Sequence, residues 1–84
     1  MMYLISYDLD EPGSQDYRRI EDGIELLGGK RVLKSQWLLG SRLSAFEIVR
    51  KLVPLLDIAN DRIVVCELNS NRAALRPIVE IGSL

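Results

Sequence analysis

Asp8, Asp10 and Glu11 crowd together directly after the apolar run Tyr3-Leu-Ile-Ser-Tyr7. Carboxylates are hard oxygen donors suited to magnesium or manganese, and water held on such a cation becomes a stronger nucleophile. The rest of the inventory narrows the chemistry. With no histidine and one cysteine, Cys66, the chain lacks the usual general base, and one copy cannot assemble a structural zinc site. Any hydrolysis must therefore use carboxylates and a hard cation. Asp8 is the leading candidate because it ends a strand and is pushed out at a sheet edge. Its plain structural alternative is a carboxylate that begins a turn. Asp10 and Glu11 read first as solvated turn residues and only second as further ligands.

Two basic groups could meet an anion. Arg18 and Arg19 open the first helix, where the helix dipole already favours negative charge. Lys30, Arg31 and Lys34 mark a later hairpin. Contacts from these residues to a nucleic acid would be to phosphate and carry little sequence preference. The alternative is surface charge balanced by Glu21, Asp22 and Glu25. Eleven Lys and Arg against twelve Asp and Glu leave a formal charge of −1, the opposite of a dedicated nucleic-acid binder. Trp37, the single tryptophan, reads as core or interface rather than as a stacking platform. Glycine-rich phosphate loops, a nucleophile elbow and zinc-ligand spacing are all absent.

The elements that must position these residues follow from the pattern. At 84 residues and 48% hydrophobic content, one domain with a packed core is expected, small enough that dimerisation is a natural way to add buried area. No apolar run reaches the roughly 18–20 residues of a membrane span. There is no basic, apolar leader with a small-residue cleavage site, so a cytoplasmic protein is expected. Residues 2–8 form a central strand, with Met2, Leu4, Ser6 and Asp8 on one face and Tyr3, Ile5 and Tyr7 on the other. Leu9 to Ser14 is a turn punctuated by Pro12-Gly13, with Ser14 as an N-cap. A helix over about 15–27 buries Tyr17, Ile20, Ile24 and Leu27 and stops at Gly28-Gly29. Residues 30–40 are either a hairpin turning at Lys34-Ser35 or one bent strand. Ser44-Ala-Phe-Glu47 is a capping box opening a second helix over about 45–56, shortened or bent by Pro54.

Arg62 to Leu68 is strongly β-branched and reads as a second central strand, with Cys66 a buried, reduced thiol. Residues 69–71 read as a loop, 73–76 as a short turn and 77–81 as a last edge strand. The order strand, helix, strand, strand, helix, strand gives an α+β, ferredoxin-like βαββαβ sandwich with an extra C-terminal strand. One sheet face is then left apolar and bare, which a second copy of the chain would cover. In such a homodimer two Asp8 carboxylates repel unless one is protonated or a cation lies between them.

Tyr3-Leu-Ile-Ser-Tyr-Asp8, Tyr17-Arg-Arg-Ile20, Gly29-Lys-Arg-Val-Leu-Lys-Ser-Gln-Trp37, Arg62-Ile-Val-Val65 and Arg76-Pro-Ile-Val-Glu-Ile-Gly82 occur in an order and spacing that resembles the CRISPR-associated Cas2 family. The resemblance runs over nearly the whole chain. It implies a ferredoxin-like homodimer, a terminal strand pairing across that dimer, and a strand-end aspartate, here Asp8, facing its symmetry mate as the magnesium site. It further implies that Tyr7 lies beside the site, that Arg19 and Arg31 serve nucleic-acid contact or activity, and that Ser35 and Trp37 occupy the family's serine and aromatic positions. The family turns back at Lys34-Ser35, which favours the hairpin. Gln36 in place of an apolar residue, Leu38-Leu39 without an acid and the acidic turn Asp10-Glu-Pro-Gly13 depart from the family pattern.

The expectation is thus a CRISPR-associated, magnesium- or manganese-dependent endonuclease acting on RNA or DNA, or a nucleic-acid-binding adaptor in spacer acquisition that partners the spacer integrase. The alternatives are a non-catalytic dimeric interaction module and a toxin-type ribonuclease on the same fold.

Overall fold

The two-residue alternation of the first strand decides which side of the sheet carries the core. A computed structural model describes residues 1–10, 14–57 and 59–68. Within them run β1 (Met2–Asp8), α1 (Ser14–Leu26), β2 (Lys30–Leu33), β3 (Gln36–Gly40), α2 (Ala45–Leu52) and β4 (Arg62–Leu68), with a 3-10 turn at Val53–Leu55. The strands form one sheet in the order β2-β3-β1-β4, with every described pairing antiparallel. Each helix connects two strands that flank a third, antiparallel one, which is the ferredoxin-like split crossover.

Both helices lie on one face. Tyr3, Ile5 and Tyr7 of β1 and Trp37 and Leu39 of β3 pack with Ile20 and Ile24 of α1 and Ile48 and Leu52 of α2. Tyr17 and Leu27 complete the expected stripe of α1 as partly buried neighbours. Leu9, the first residue of the expected turn, also belongs to this core, with only 6% of it exposed; residues 11–13 of that turn lie outside the described residues.

Local chemistry sets the ends of the elements. The hairpin is the one the family pattern favours, with its turn at 34–35 and a bulge between Arg31 and Leu33. Helix α1 closes as a Schellman motif: the Gly29 N–H donates to the Ile24 carbonyl and the Gly28 N–H to that of Glu25, both at 2.9 Å. Gly28 takes a φ of 100°, a left-handed conformation costly for any residue with a Cβ. The capping box of α2 is formed in both directions, Glu47 N–H to Ser44 Oγ at 3.1 Å and Ser44 N–H to Glu47 Oε1 at 2.9 Å. These bonds hold the Glu47 carboxyl below its usual range. Pro54 lacks an amide hydrogen, so α2 ends at Leu52 and tightens into the 3-10 turn.

The second sheet face carries the alternate residues. The register pairs Met2 with Leu68, Leu4 with Cys66, Ser6 with Val64 and Asp8 with Arg62. Two expectations about β4 need correcting here. Among the described residues β4 is an edge strand, bonded to β1 alone, and Cys66 is exposed. The β-branched run buries only the residues that face the helices; Val64, on the same side as Cys66, is 55% exposed. The expected loop, turn and terminal strand over 69–84 lie outside the described residues. No described helix is long and apolar enough to cross a membrane.

Gly29 offers a direct check on the closure of α1. A Cβ there would lie 2.5 Å from Ile24 Cγ2 and 3.1 Å from the Ile24 carbonyl oxygen, and Ile24 is fully buried. Gly29→Ala is expected to cost about 1–3 kcal/mol, the usual penalty of overpacking. Gly40→Ala, whose Cβ meets nothing closer than 4.0 Å, should stay within about 0.5 kcal/mol. Urea denaturation of the two variants measures both.

Candidate functional site

Asp8 ends β1 on the sheet face opposite the helices, and its side chain is exposed. The residue across from it in the ladder is Arg62. Residues directly opposite on antiparallel strands share a face, their Cβ atoms about 4.5–5.5 Å apart. Asp8 and Arg62 also line one cleft together with Asp10, Asn60 and Asp61. Asp61 holds the cleft in shape. Its Oδ1 accepts from the Asp10 N–H at 3.0 Å and its Oδ2 from the Asp57 N–H at 2.8 Å, so one carboxylate ties the segment after β1 to the segment before β4. The hairpin turn reaches the same end of the sheet, where the Ser35 carbonyl accepts from the Tyr7 N–H at 3.2 Å. Ser35 thus joins the Asp8 end through its backbone.

Tyr7 and Trp37 lie on the other face. The pleat that turns Asp8 outward turns Tyr7 into the helical layer, where 6% of it is exposed. Its hydroxyl accepts from the Trp37 indole N–H at 3.1 Å, and its ring stands 6.4 Å from that of Tyr17. Burial pushes the Tyr7 phenol above its ordinary pKa, opposed in part by the bond from Trp37. These two residues support the strand that carries Asp8, from beneath. Arg31 faces the same way. Its guanidinium bonds Glu21 at 2.6 Å and lies 5.1 Å from the centre of the Trp37 ring. The two basic sets are therefore placed differently. Arg19 borders a cleft shared with Asp10, Asp57 and Asp61 near that end, whereas Arg31 is engaged beside β3 and α1.

The donor chemistry of the Asp8 end can be tested against a hard cation. Among the described residues no three Asp, Glu or Cys side chains gather as a ligand set. Magnesium keeps several waters and needs only one or two protein carboxylates. One exposed Asp8 per chain fits that requirement if two copies bring their strand ends together.

No protein-family model matches the chain. Among solved structures it is similar to Streptococcus pyogenes Cas2, with a TM-score of 0.66 and 26% identity over 84% of this chain and 89% of that one. The chain is Cas2-like. A hypothetical protein of Thermus thermophilus gives the same TM-score of 0.66 at 22% identity, covering 82% of each chain, a likeness of fold. The Cas2-like motifs noted in the sequence thus sit on a backbone that matches a Cas2 structure.

Sequence reasoning passed over two residues of the site. Arg62 stood at the start of an apolar strand, and only the antiparallel register reveals its place opposite Asp8. Asp61 resembled loop filler; a carboxylate just before a strand start was the single available hint.

The bond between Tyr7 and Trp37 yields a measurable expectation. Tyr7→Phe leaves a buried indole N–H without its acceptor, which costs about 1–3 kcal/mol. Denaturation followed by Trp37 fluorescence should show that loss, with the folded variant otherwise intact. An unchanged midpoint would mean that the indole finds another acceptor.

Proposed function

We propose that the chain is a CRISPR-associated protein of the Cas2 type, acting as a homodimer on nucleic acid, with Asp8 as its catalytic and cation-binding residue. The likeness to S. pyogenes Cas2 supports the CRISPR association. The observation that carries the site is the position of Asp8: an exposed carboxylate at the end of a central strand, on the sheet face left open by the helices. Met2, Leu4, Val64 and Leu68 give that face an apolar centre, and a second copy packed there would bring the two Asp8 ends into one site.

In that dimer each residue has a defined task. The two Asp8 carboxylates hold a hard cation between them, and Asp61 ties the adjoining segments together and so fixes the shape of the cleft. Magnesium or manganese, when bound, supplies an activated water and offsets charge on the phosphoryl oxygens. Arg19, near the same end, contacts phosphate. The activity is phosphodiester hydrolysis on RNA or DNA, or, where the same residues only bind, an adaptor role in spacer acquisition beside the spacer integrase. A non-catalytic dimeric module is the second possibility, and the apolar open face favours it, since that face alone is enough to join two copies.

Asp8→Asn tests the proposal. It should abolish magnesium-dependent cleavage of RNA and DNA while sedimentation still reports a dimer. Equal cleavage by the variant would sink the catalytic role. Binding separates the adaptor from the bare module: neutralising several phosphates makes affinity fall steeply with salt. An absence of binding even at low salt would leave the interaction module standing.

A further inference from the structure

We propose that Arg62 is a phosphate-binding residue at the mouth of the Asp8 cleft, receiving the backbone of a nucleic acid at the strand end, beyond the apolar centre of the open face. This rests on the nucleic-acid function proposed above. Three observations carry it. The antiparallel register places Arg62 directly opposite Asp8, so the pleat points both side chains to the open face. Both residues are exposed and line the same cleft. Among the described residues the one ion pair is that of Arg31 with Glu21, which leaves the Arg62 guanidinium without a carboxylate partner.

Charge explains why a cation is needed there. The cleft otherwise presents Asp8, Asp10 and Asp61, and a polyanion approaching those carboxylates would be repelled. Arg62 is the cation that lines that cleft, and its planar fork matches the paired oxygens of a phosphate. The opposite ladder position keeps it beside Asp8 without covering it, so a phosphate held by Arg62 would present its ester bond to the Asp8 side of the cleft. Arg31 cannot substitute, being bound to Glu21 over the Trp37 ring on the helical face.

Salt-dependent binding of labelled duplex DNA, and of single-stranded RNA of the same sequence, tests this. Each phosphate contact contributes about 0.9 to the slope of log affinity against log salt on duplex DNA and about 0.7 on a single strand. Arg62→Gln should lower the slope of a dimer by about twice that in at least one arm, and the arm that responds names the nucleic acid. Arg42→Gln makes the same change of charge near Ser41, which bonds to Met1 at the far end of β1, and should leave the slope alone. Equal slopes for wild type and Arg62→Gln overturn this inference and leave Asp8 untouched. Equal losses for Arg62→Gln and Arg42→Gln also overturn it, since they reflect net charge alone. No binding by the wild type in either arm overturns the inference together with the function beneath it. A measurement on the unaltered protein keeps the test open should the variant misfold: bound nucleic acid should protect Arg62 from phenylglyoxal, and undiminished modification of Arg62 overturns the assignment.

Discussion

The pleat of β1 is the constraint on which the other features depend. The strand is held on both sides, by β3 through Met2 to Ser6 and by β4 through Met2 to Asp8. Its register is locked by Tyr3, Ile5 and Tyr7, all buried in the helical layer. Burial of large apolar side chains stabilises by roughly 1.5–3 kcal/mol each. A slip of one residue would turn all three outward, and the loss would rival the entire net stability of about 5–15 kcal/mol typical of a domain. Asp8 therefore faces the open side because three aromatic and aliphatic neighbours face the other. Its placement is a by-product of core packing, and this makes it precise without any bond to the carboxylate itself.

The same pleat sorts the cations. Arg31 pairs with Trp37 across the β2–β3 hairpin and falls on the helical face, where Glu21 and the indole ring take it up. Arg62 pairs with Asp8 and falls on the open face. A carboxylate partner and an aromatic platform make Arg31 a structural clasp between α1 and the hairpin. Releasing it to a phosphate would cost those contacts, whereas Arg62 has no such tie to break. Sequence similarity gives weight to an arginine by its motif; the sheet decides which arginine is free to bind.

Much of the fold could be read in advance because its signals are local. The alternation from Met2 to Asp8, the capping box at Ser44 and Glu47, the glycine pair after α1 and the proline in α2 each act within a few residues. Other features depend on distant partners, and those were misjudged. Cys66 and Val64 lie in an apolar run that suggests burial, yet among the described residues the run is an edge strand whose outer residues face away from the helices. The alternation does send Tyr7 to the face opposite Asp8, but its bond to Trp37 is visible only in the fold. The hairpin was ambiguous locally because Lys34-Ser35 lacks strong turn chemistry, and the bulge between Arg31 and Leu33 is a device that no residue pattern announced.

What one chain provides at the Asp8 end is consistent with half of a site. A lone exposed carboxylate in water binds a divalent cation weakly, because the ion gives up hydration for one ligand. Two carboxylates brought together would repel each other, but they would offer a cation two ligands, and a bound cation would offset the repulsion that opposes the pairing. Metal binding and association through the open face would therefore reinforce each other. Arg62 adds a second level to the same logic. Placed beside each carboxylate, it would lower the negative potential of a paired mouth so that a phosphate could approach, while leaving Asp8 to the cation. On the proposed dimer, a strand end that one chain leaves exposed would gain its chemistry from symmetry, and the residue across the ladder would determine whether an anion can enter.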